Sequence, residues 1–467
     1  MAGLSRRTFM AGTGTAALAA LAARRAPARE EAPPNFVVII TDDHRWDMAG
    51  FAGHPILQTP EMDRLAAGGV HFRNAFVTTP ICCTSRASIL TGMHARSHGV
   101  HDFSTPLTPE DLARTYPALL HAAGYETCHV GKYGVGGTPP DSLGVRPLPP
   151  GKEPFFREVD GERRHVTRIT ADMASDFIGS VPKGKPFCLT VGFDAPHSHD
   201  YARRPYPPEP ECESLYRDVS VPPQPHSSCA DFEALPDFLK NSEGRMRWGV
   251  RFCTPDFYQE SMRDVFRMIT GVDRAIGRIR AALDAAGVAD NTVILLIGDN
   301  GAFYGERGLA GKWYAYEESI RVPLVLFDPS LPEGMRGRAL DPMALNIDLA
   351  PTIAERAGLA VPDTMQGRSL LELARGDNPG DWRRDWYFEH LFKHPLIPRS
   401  EGLRAEGWTY IRWVDTDPAM EELYDLAADP HETRNLAADS AHADRLDALR
   451  ARWAEYRETL PERIPAS

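Results

Sequence analysis

The 467-residue sequence lacks three features, and each absence excludes a class of protein. It has no apolar run of the roughly 20 residues that a membrane helix needs, so no membrane span is predicted. It lacks an excess of positive charge: the formal net charge is −12, which disfavours a nucleic acid or an anionic membrane surface as the main partner. It has only seven cysteines, an odd number without a regular framework, so at least one is unpaired. A chain of this length can bury a large core without disulfides.

The first thirty residues have the pattern of an export signal. Ser5-Arg6-Arg7-Thr8 precedes an alanine-rich apolar run at residues 16–23. Twin arginines before a short, mildly apolar stretch are typical of a Tat signal. We therefore predict that residues 1–30 are a Tat-type signal segment, that the Tat translocase is a partner, and that the protein is periplasmic or secreted.

The order of strands and helices predicts the fold class. Apolar, β-branched runs bounded by turn residues predict buried strands at residues 36–41, 187–193, 292–297 and 322–327. Helical patterns lie at residues 60–67, 116–123 and 262–286. This alternation indicates an α/β fold, with a mostly parallel central sheet sandwiched by helices, in a main domain at residues 34–380.

Two other regions have different patterns. Residues 198–256 are rich in proline and predict a long surface insertion that shapes a pocket. Short antiparallel strands are predicted at residues 386–390, 408–414 and 422–426, followed by an amphipathic helix at residues 441–458. These elements predict a smaller C-terminal α+β subdomain at residues 381–467, carrying a short antiparallel sheet.

Acidic and amide side chains follow two of the predicted strands. Asp42 and Asp43 end the first strand, and Asp299 and Asn300 end the third. In a parallel sheet, ligands bind beyond the carboxyl ends of the strands, and hard oxygen ligands suit Ca²⁺ or Mg²⁺ better than zinc. Such residues at strand ends are also common turn formers, so each pair alone would be weak support for a metal site.

The segment around Cys82 changes this balance. It reads Thr79-Pro-Ile-Cys-Cys-Thr-Ser-Arg-Ala-Ser-Ile-Leu-Thr-Gly92 and resembles the signature of the formylglycine-dependent sulfatases, in the alkaline phosphatase superfamily. That family converts a cysteine to formylglycine, whose hydrate is the nucleophile. Arg86 lies four residues after Cys82, as in the signature, whereas Cys83 would be one residue too close. The alternative for Cys82 is a buried apolar cysteine.

Further blocks resemble the same family in the same order. They are residues 34–43, Gly131-Lys132-Tyr133-Gly134, Ala195-Pro196-His197, residues 298–301, residues 305–313 with Lys312, residues 317–323, and residues 422–430. The resemblance spans about residues 34–437 and is nearest to bacterial carbohydrate sulfatases of the glucosamine-6-sulfatase-like type. One block would be weak support, but seven in order are specific.

The resemblance implies a set of roles. Asp42, Asp43, Cys82, Asp299 and Asn300 would bind the metal, with Ca²⁺ preferred over Mg²⁺. Cys82, Arg86, Lys132, His197 and Lys312 would be catalytic: the cations neutralise the sulfate, Asp299 takes a proton from the diol, and His197 protonates the departing sugar oxygen. The implied partners are a sulfated carbohydrate, on a glycosaminoglycan or mucin-type sugar, and the formylglycine-generating enzyme.

Two positions depart from the family pattern. Thr84 stands where the signature usually has proline, which puts the efficiency of Cys82 conversion in question. Gly134 stands where many members have a histidine that helps to break down the sulfated diol, so His129 or a metal-bound water would have to replace it.

Two rival functions and a further set of sugar contacts stay open at this point. The rivals are a phosphodiesterase or phosphonate monoester hydrolase of the same superfamily, and an unmodified, non-catalytic protein that binds sulfated glycans. For substrate binding we expect Lys132, His197 and Lys312, together with His390 and Arg404 from the C-terminal region. For His390 and Arg404, a surface loop or edge strand is an equal alternative.

Overall fold

An eight-stranded sheet forms the centre of the protein. The computed structural model describes residues 32–463, so the predicted signal segment lies outside the described residues. In chain order the strands of this sheet are β1 Asn35–Thr41, β2 Val70–Phe72, β3 Glu126–Gly131, β4 Val145–Arg146, β5 Phe187–Gly192, β6 Thr292–Gly298, β7 Leu324–Phe327 and β8 Arg338–Leu340.

The sheet is mostly parallel, as predicted. The spatial order is β8-β2-β7-β6-β1-β5-β3-β4. The five strands from β6 to β4 run parallel to their neighbours, and only β7 is antiparallel, to both β6 and β2. The sequence did not predict β3, because Glu126-Thr-Cys-His-Val-Gly131 is not a continuous apolar run.

Side chains of β1 alternate between two apolar layers. Val37 and Ile39 pack on one side of the sheet, and Phe36, Val38 and Ile40 pack on the other. A strand that is buried on both faces is therefore apolar at every position, which is why NFVVIIT lacks the alternation of a half-exposed strand.

Helices cover both faces. The longer ones are α1 Pro60–Gly68, α2 Cys82–Thr91, α3 Tyr116–Ala122, α4 Val166–Ser180, α5 Glu243–Arg251, α6 Pro255–Ala285, α7 Leu349–Arg356 and α8 Ala443–Thr459. Shorter helices are Ala95–His98, Pro109–Ala113, Cys229–Glu233, Asp237–Lys240, Glu317–Ile320 and Leu371–Arg375. Short two-stranded pairings join Ala75–Phe76 to Ala344–Leu345, Phe156–Val159 to Glu162–His165, and Phe303–Tyr304 to Ala310–Gly311.

Helix α6 begins earlier than the sequence pattern predicted. The Thr254 hydroxyl accepts a hydrogen bond from the amide of Phe257, and Pro255 occupies the first helical position. These features fix the start of the helix without any apolar periodicity. No helix within residues 32–463 is long and apolar enough to cross a membrane.

Next to α6 lies an unusual buried carboxyl group. Glu209 is 2% exposed, and neither of its side-chain oxygens has a hydrogen-bond partner within residues 32–463. Burial raises its pKa from the usual 4.5 to about 7. The side chain is therefore a strained element of the fold that titrates near neutrality.

The C-terminal antiparallel sheet is also confirmed. It has four strands in sequential order: β9 Asp385–His390, β10 Ser400–Ala405, β11 Trp408–Trp413 and β12 Met420–Asp425. Strand β10 contains Arg404, for which the sequence left open a sugar contact or a surface loop or edge strand. The strand is internal to the sheet, because it pairs with both β9 and β11.

This sheet shares an apolar cluster with the segment before α2. Ile81 and Cys83 belong to the same cluster as Trp386, Phe388 and Trp413. Residues from Pro33 onward accordingly form one compact unit. The division near residue 380 stays a prediction.

Candidate active site

Four polar side chains meet where β1 and β6 end. The two strands are neighbours, and Thr41 pairs with Gly298, so Asp42-Asp43 and Asp299-Asn300 leave the sheet side by side. Oxygens of Asp42, Asp43 and Asp299 lie within 4.8 Å of one another. All four side chains are buried. The structure thus brings together the four oxygen ligands that the sequence predicted.

These residues fit a hard divalent cation. The Asn300 amide nitrogen donates to Asp43 Oδ1 at 2.6 Å and to the Gly301 carbonyl at 2.8 Å. Its Oδ1 is buried and finds no hydrogen-bond partner in the described part of the chain, which is costly for a polar atom. Three carboxylates and an unpartnered amide oxygen are the donor set that Ca²⁺ and Mg²⁺ take.

Three basic side chains surround the carboxylates. Lys312 Nζ lies 2.5 Å from Asp43 Oδ1, Lys132 contacts Asp42, and Arg86 Nε donates to Asp299 Oδ2 at 2.7 Å. Such close pairing is what permits several charges to be buried together.

The two aspartates Asp42 and Asp299 differ in their affinity for a proton. Burial alone would raise the pKa of Asp42, but Lys132 and Lys312 hold it well below its usual range. Burial, together with the charge of Asp42, raises the pKa of Asp299 to about 6. The two carboxylates therefore differ because the lysines lie closer to Asp42, whereas Asp299 is paired with Arg86.

Cys82 is the first residue of α2 and points to this charged cluster. Its Sγ lies 3.0 Å from Lys312 Nζ, and it forms a possible ligand group with Asp42 and His197. Burial and the charge of Asp42 raise the pKa of the Cys82 thiol. An unmodified thiol at this position is consequently a weak nucleophile.

The neighbouring cysteine has a different environment. Cys83 is completely buried in the apolar cluster beneath the C-terminal sheet, and burial raises its pKa to about 12. Next to it, Thr84 occupies the third position of α2, before the first helical hydrogen bond, which Ser85 donates to Ile81. The Thr84 amide is among the N-terminal groups that a helix leaves without an internal partner.

Arg86 lies beneath the site rather than in it. Besides Asp299, its guanidinium donates to the carbonyls of Lys132 at 2.6 Å and Phe193 at 3.3 Å, and its side chain is 2% exposed. The prediction that Arg86 helps to neutralise the sulfate stays a prediction; its guanidinium also lies 3.8 Å from Asp42 Oδ2. Arg86 holds Asp299 and the Lys132 backbone in place.

Gly134 is required by the same packing. Its φ is +74°, and a Cβ at this residue would lie 2.7 Å from Arg86 Cδ. His129 is one predicted substitute for the missing histidine. Its Nε2 donates to the Lys132 carbonyl oxygen at 3.1 Å, and His129 is not among the residues that line the cavity beside Cys82. Burial lowers the pKa of His129 to about 4.

His197 faces the cavity with a fixed ring. Nδ1 lies 2.7 Å from the Ser198 carbonyl and donates to it, which leaves Nε2 on the side of Asp43, at 3.8 Å from Oδ2. Burial lowers the pKa of His197. When protonated it is a stronger acid than free histidine.

A cavity of about 240 Å³ lies above these groups. Cys82, His197 and Lys312 are at its base, and its walls are formed by Asp200, Glu243, Arg247, Trp313, Phe103, Phe392, His394 and Ile397. The sequence predicted that the insertion at 198–256 shapes a pocket, but it did not identify these wall residues. Apart from Trp313, which belongs to the block at residues 305–313, these residues lie outside the family motifs.

Two predicted sugar contacts lie elsewhere. Arg404 donates from Nε to Glu317 at 2.6 Å and lines a separate cavity with Asp341. His390 is fully buried and does not line the cavity above Cys82. Both lie in strands of the C-terminal sheet, where backbone pairing and packing determine their positions. The structure therefore does not bring them to the catalytic cavity.

Comparison with known proteins assigns the chain to a family. The Sulfatase family model matches residues 34–359, which is most of the chain. The chain belongs to the sulfatase family. A second model, described as N-sulphoglucosamine sulphohydrolase, C-terminal, matches residues 305–459 of this sulfatase.

Individual relatives agree with this assignment. N-acetylglucosamine-6-O-sulfatase of Bacteroides thetaiotaomicron is 28% identical, over 93% of this chain and 89% of the relative. A structure solved with its substrate D-glucosamine-2-N,6-O-disulfate has a TM-score of 0.80 at 26% identity, over 92% of this chain and 99% of that one. A phosphonate monoester hydrolase of Agrobacterium radiobacter, at 23% identity, shares the fold with a TM-score of 0.74, over 91% of this chain and 95% of that one.

Proposed function

We propose that this sulfatase hydrolyses a sulfate ester on a carbohydrate, with a formylglycine made from Cys82 and with bound Ca²⁺. The observation that carries the proposal is the position of Cys82: its Sγ lies at the base of a cavity, 3.0 Å from Lys312 Nζ. Beside it stand three aspartates and the unpartnered oxygen of Asn300.

Asp42, Asp43, Asp299 and Asn300 would hold the cation. When bound, it would supply a positive charge that neutralises the sulfate oxygens, while the hydrated formylglycine supplies the nucleophilic oxygen. The remaining work belongs to the side chains of this chain. Lys312 and Lys132 can donate to the sulfate oxygens, which otherwise repel an attacking anion.

Proton transfer is divided between two residues. Asp299, which is buried close to Asp42 and accepts a hydrogen bond from Arg86, would accept the proton released as the nucleophile attacks. His197 donates a proton from Nε2 to the departing sugar oxygen, because its Nδ1 is held by the Ser198 carbonyl. A sugar alkoxide is a poor leaving group, so this step is needed more for a sugar sulfate than for an aryl sulfate.

Three measurements test the proposal. Turnover of sulfated monosaccharides and oligosaccharides is compared with turnover of aryl sulfate and aryl phosphate; a preference for phosphate would favour the phosphoryl-transfer alternative. Mass spectrometry of the Cys82 peptide detects formylglycine, and a peptide with cysteine alone would favour the binding protein. Elemental analysis should find calcium, and zinc or no metal in active protein would contradict the proposed ligand set.

Substitution of His197 separates its role from simple binding. His197→Ala should lower kcat for a sugar sulfate by about a hundredfold or more, and should lower it much less for an aryl sulfate. Equal losses on both substrates would show that His197 does not act as the general acid.

We also propose export by the Tat translocase. The support is Arg6-Arg7 ahead of the apolar run at residues 16–23. Replacing both arginines by lysine should leave the protein in the cytoplasm, as measured by cell fractionation; unchanged export would exclude the Tat route.

A further inference from the structure

Two carboxylates line the catalytic cavity beside His197. Asp200 follows His197 by three residues, and Glu243 is the first residue of α5. Both line the cavity together with Cys82 and Lys312. Neither has a role in the mechanism above, since both lie on the wall and not at the base.

Each carboxylate contacts the protein through only one oxygen. Asp200 Oδ1 accepts hydrogen bonds from Ser198 at 3.0 Å and Arg251 at 2.7 Å, and forms an ion pair with Arg247 Nη1 at 2.8 Å. Glu243 Oε1 accepts from Tyr201 at 2.6 Å and Arg247 at 2.8 Å. Among the described residues, Asp200 Oδ2 and Glu243 Oε2 have no hydrogen-bond donor, although the Glu243 side chain is only 9% exposed.

Arg247 does not turn this wall into an anion site. Its Nε is bound to Glu243 and its Nη1 to Asp200, and its guanidinium packs 4.7 Å from the Trp313 ring centre. Its charge is thus shared between the two carboxylates. Although burial acts in the opposite direction, Tyr201 and Arg247 hold the pKa of Glu243 below its ordinary value, so the side chain is ionised.

We infer that Asp200 Oδ2 and Glu243 Oε2 form an acceptor wall that selects the leaving sugar. Ionised carboxylates accept hydrogen bonds and donate none. The wall therefore binds hydroxyl, amide or ammonium donors and disfavours a second sulfate or a carboxylate at the same place. The inference rests on the proposed sulfatase activity and specifies its substrate: a sugar monosulfate whose remaining substituents near the cleaved ester are neutral or cationic.

The test compares substrates that differ in one substituent. They are the 6-sulfates of galactose, N-acetylglucosamine and glucosamine, then D-glucosamine-2-N,6-O-disulfate, and an aryl sulfate that reports sulfatase activity alone. We expect kcat/KM for the best monosulfate to exceed that for the disulfate by about tenfold or more, because the free carboxylate oxygens of the wall offer no donor to a second sulfate and leave its oxygens unpaired. Glu243→Gln should reduce this ratio, and Asp200→Asn should act in the same direction if the first variant fails to fold.

A matched control is available on a nearby helix. Glu233 has a side chain that is 72% exposed and does not line the cavity, so Glu233→Gln should keep the wild-type ratio. Equal kcat/KM for monosulfate and disulfate, or aryl sulfate turnover without turnover of any monosulfated sugar, would overturn the acceptor wall while leaving the sulfatase activity intact. Absence of turnover on every substrate, with formylglycine present, would instead contradict the proposed function.

Discussion

Replacing Cys82 and Cys83 separately by alanine tests the assignment of the nucleophile with two closely matched changes. Both side chains are at most 2% exposed, both lie in the first turn of α2, and each variant leaves only a methyl group at its buried position. Deleting one buried heavy atom costs about 1–2 kcal/mol through lost transfer free energy and the small cavity. The two variants should therefore lose similar stability.

That loss is small for a chain of this size. With an unfolding entropy of about 2.1 cal/mol/K per residue, 1 kcal/mol corresponds to a change in Tm of about 1 °C. Cys83→Ala should melt about 1–2 °C below the wild type and keep most of its turnover. Cys82→Ala should melt similarly and lose activity by about a thousandfold or more, because no formylglycine can form.

The assay combines turnover of an aryl sulfate, a thermal melt and the mass of the peptide that contains both cysteines. Cys82→Ser provides a further variant: it should fail in multiple turnover, because a serine sulfate ester has no diol route for expelling sulfate. An inactive Cys83→Ala variant beside an active Cys82→Ala variant would show that the signature has been aligned one residue out of register.

Three further substitutions follow from buried or strained positions. Thr84→Pro should raise the formylglycine fraction measured by mass spectrometry at constant activity per modified molecule, since proline fits the first turn of a helix and restricts the unfolded segment; an unchanged fraction would show that threonine is read equally well. Glu209→Gln should flatten the pH dependence of stability in urea denaturation. Between pH 4.5 and about 7, folded wild-type protein keeps Glu209 protonated whereas the unfolded chain releases that proton, so the free energy of unfolding falls as the pH rises through this range. Relative to the wild type, the variant should therefore gain up to about 3 kcal/mol of unfolding free energy above pH 7 and nothing below pH 4. Parallel pH curves for the two proteins would refute this. Gly134→Ala should lower the free energy of unfolding by about 1–3 kcal/mol and remove much of kcat, because the added methyl group displaces Arg86. Gly184→Ala is the control: its φ is also positive but the space around it is open, so it should lose about 1 kcal/mol and keep kcat. Equal effects of the two substitutions would exclude the contact with Arg86.

The parts of the fold that the sequence predicted are those where one physical requirement determines the residue type. Strand β1 is buried on both faces, so it is apolar throughout and its acidic end is conspicuous. Strand β3 lies next to the edge of the sheet and is buried from Thr127 to Gly131, yet its Thr and His side chains interrupt the apolar run. Strand β10 contains Arg404, which the sequence left open between a sugar contact and a surface loop or edge strand, and in the structure Arg404 is paired with Glu317.

The residues of the active site could likewise be predicted only where a motif fixes both residue type and spacing. Motif spacing predicted Cys82, His197 and Lys312 at the cavity, and geometry brings them there. Spacing could not reveal that Arg86 points beneath the carboxylates, because orientation depends on Gly134 and on the Lys132 carbonyl. The acceptor wall needs contacts between α5 and the loop after His197, which no local pattern encodes.

The burial of Cys82 also concerns the timing of its proposed modification. Cys82 is 2% exposed, and the start of its helix packs against the cluster that contains Trp386 and Trp413. The cavity that Cys82 lines has a volume of about 240 Å³, which is too small for the active site of another protein to reach the cysteine. The sealing strands begin at Asp385, about 300 residues after Cys82, and synthesis at about 5–20 residues per second takes about 15–60 s to reach them. The proposed conversion of Cys82 would therefore compete with synthesis and folding of the C-terminal strands. Slower synthesis would lengthen the period in which the segment is accessible, and faster synthesis would leave more chains folded with an unconverted cysteine.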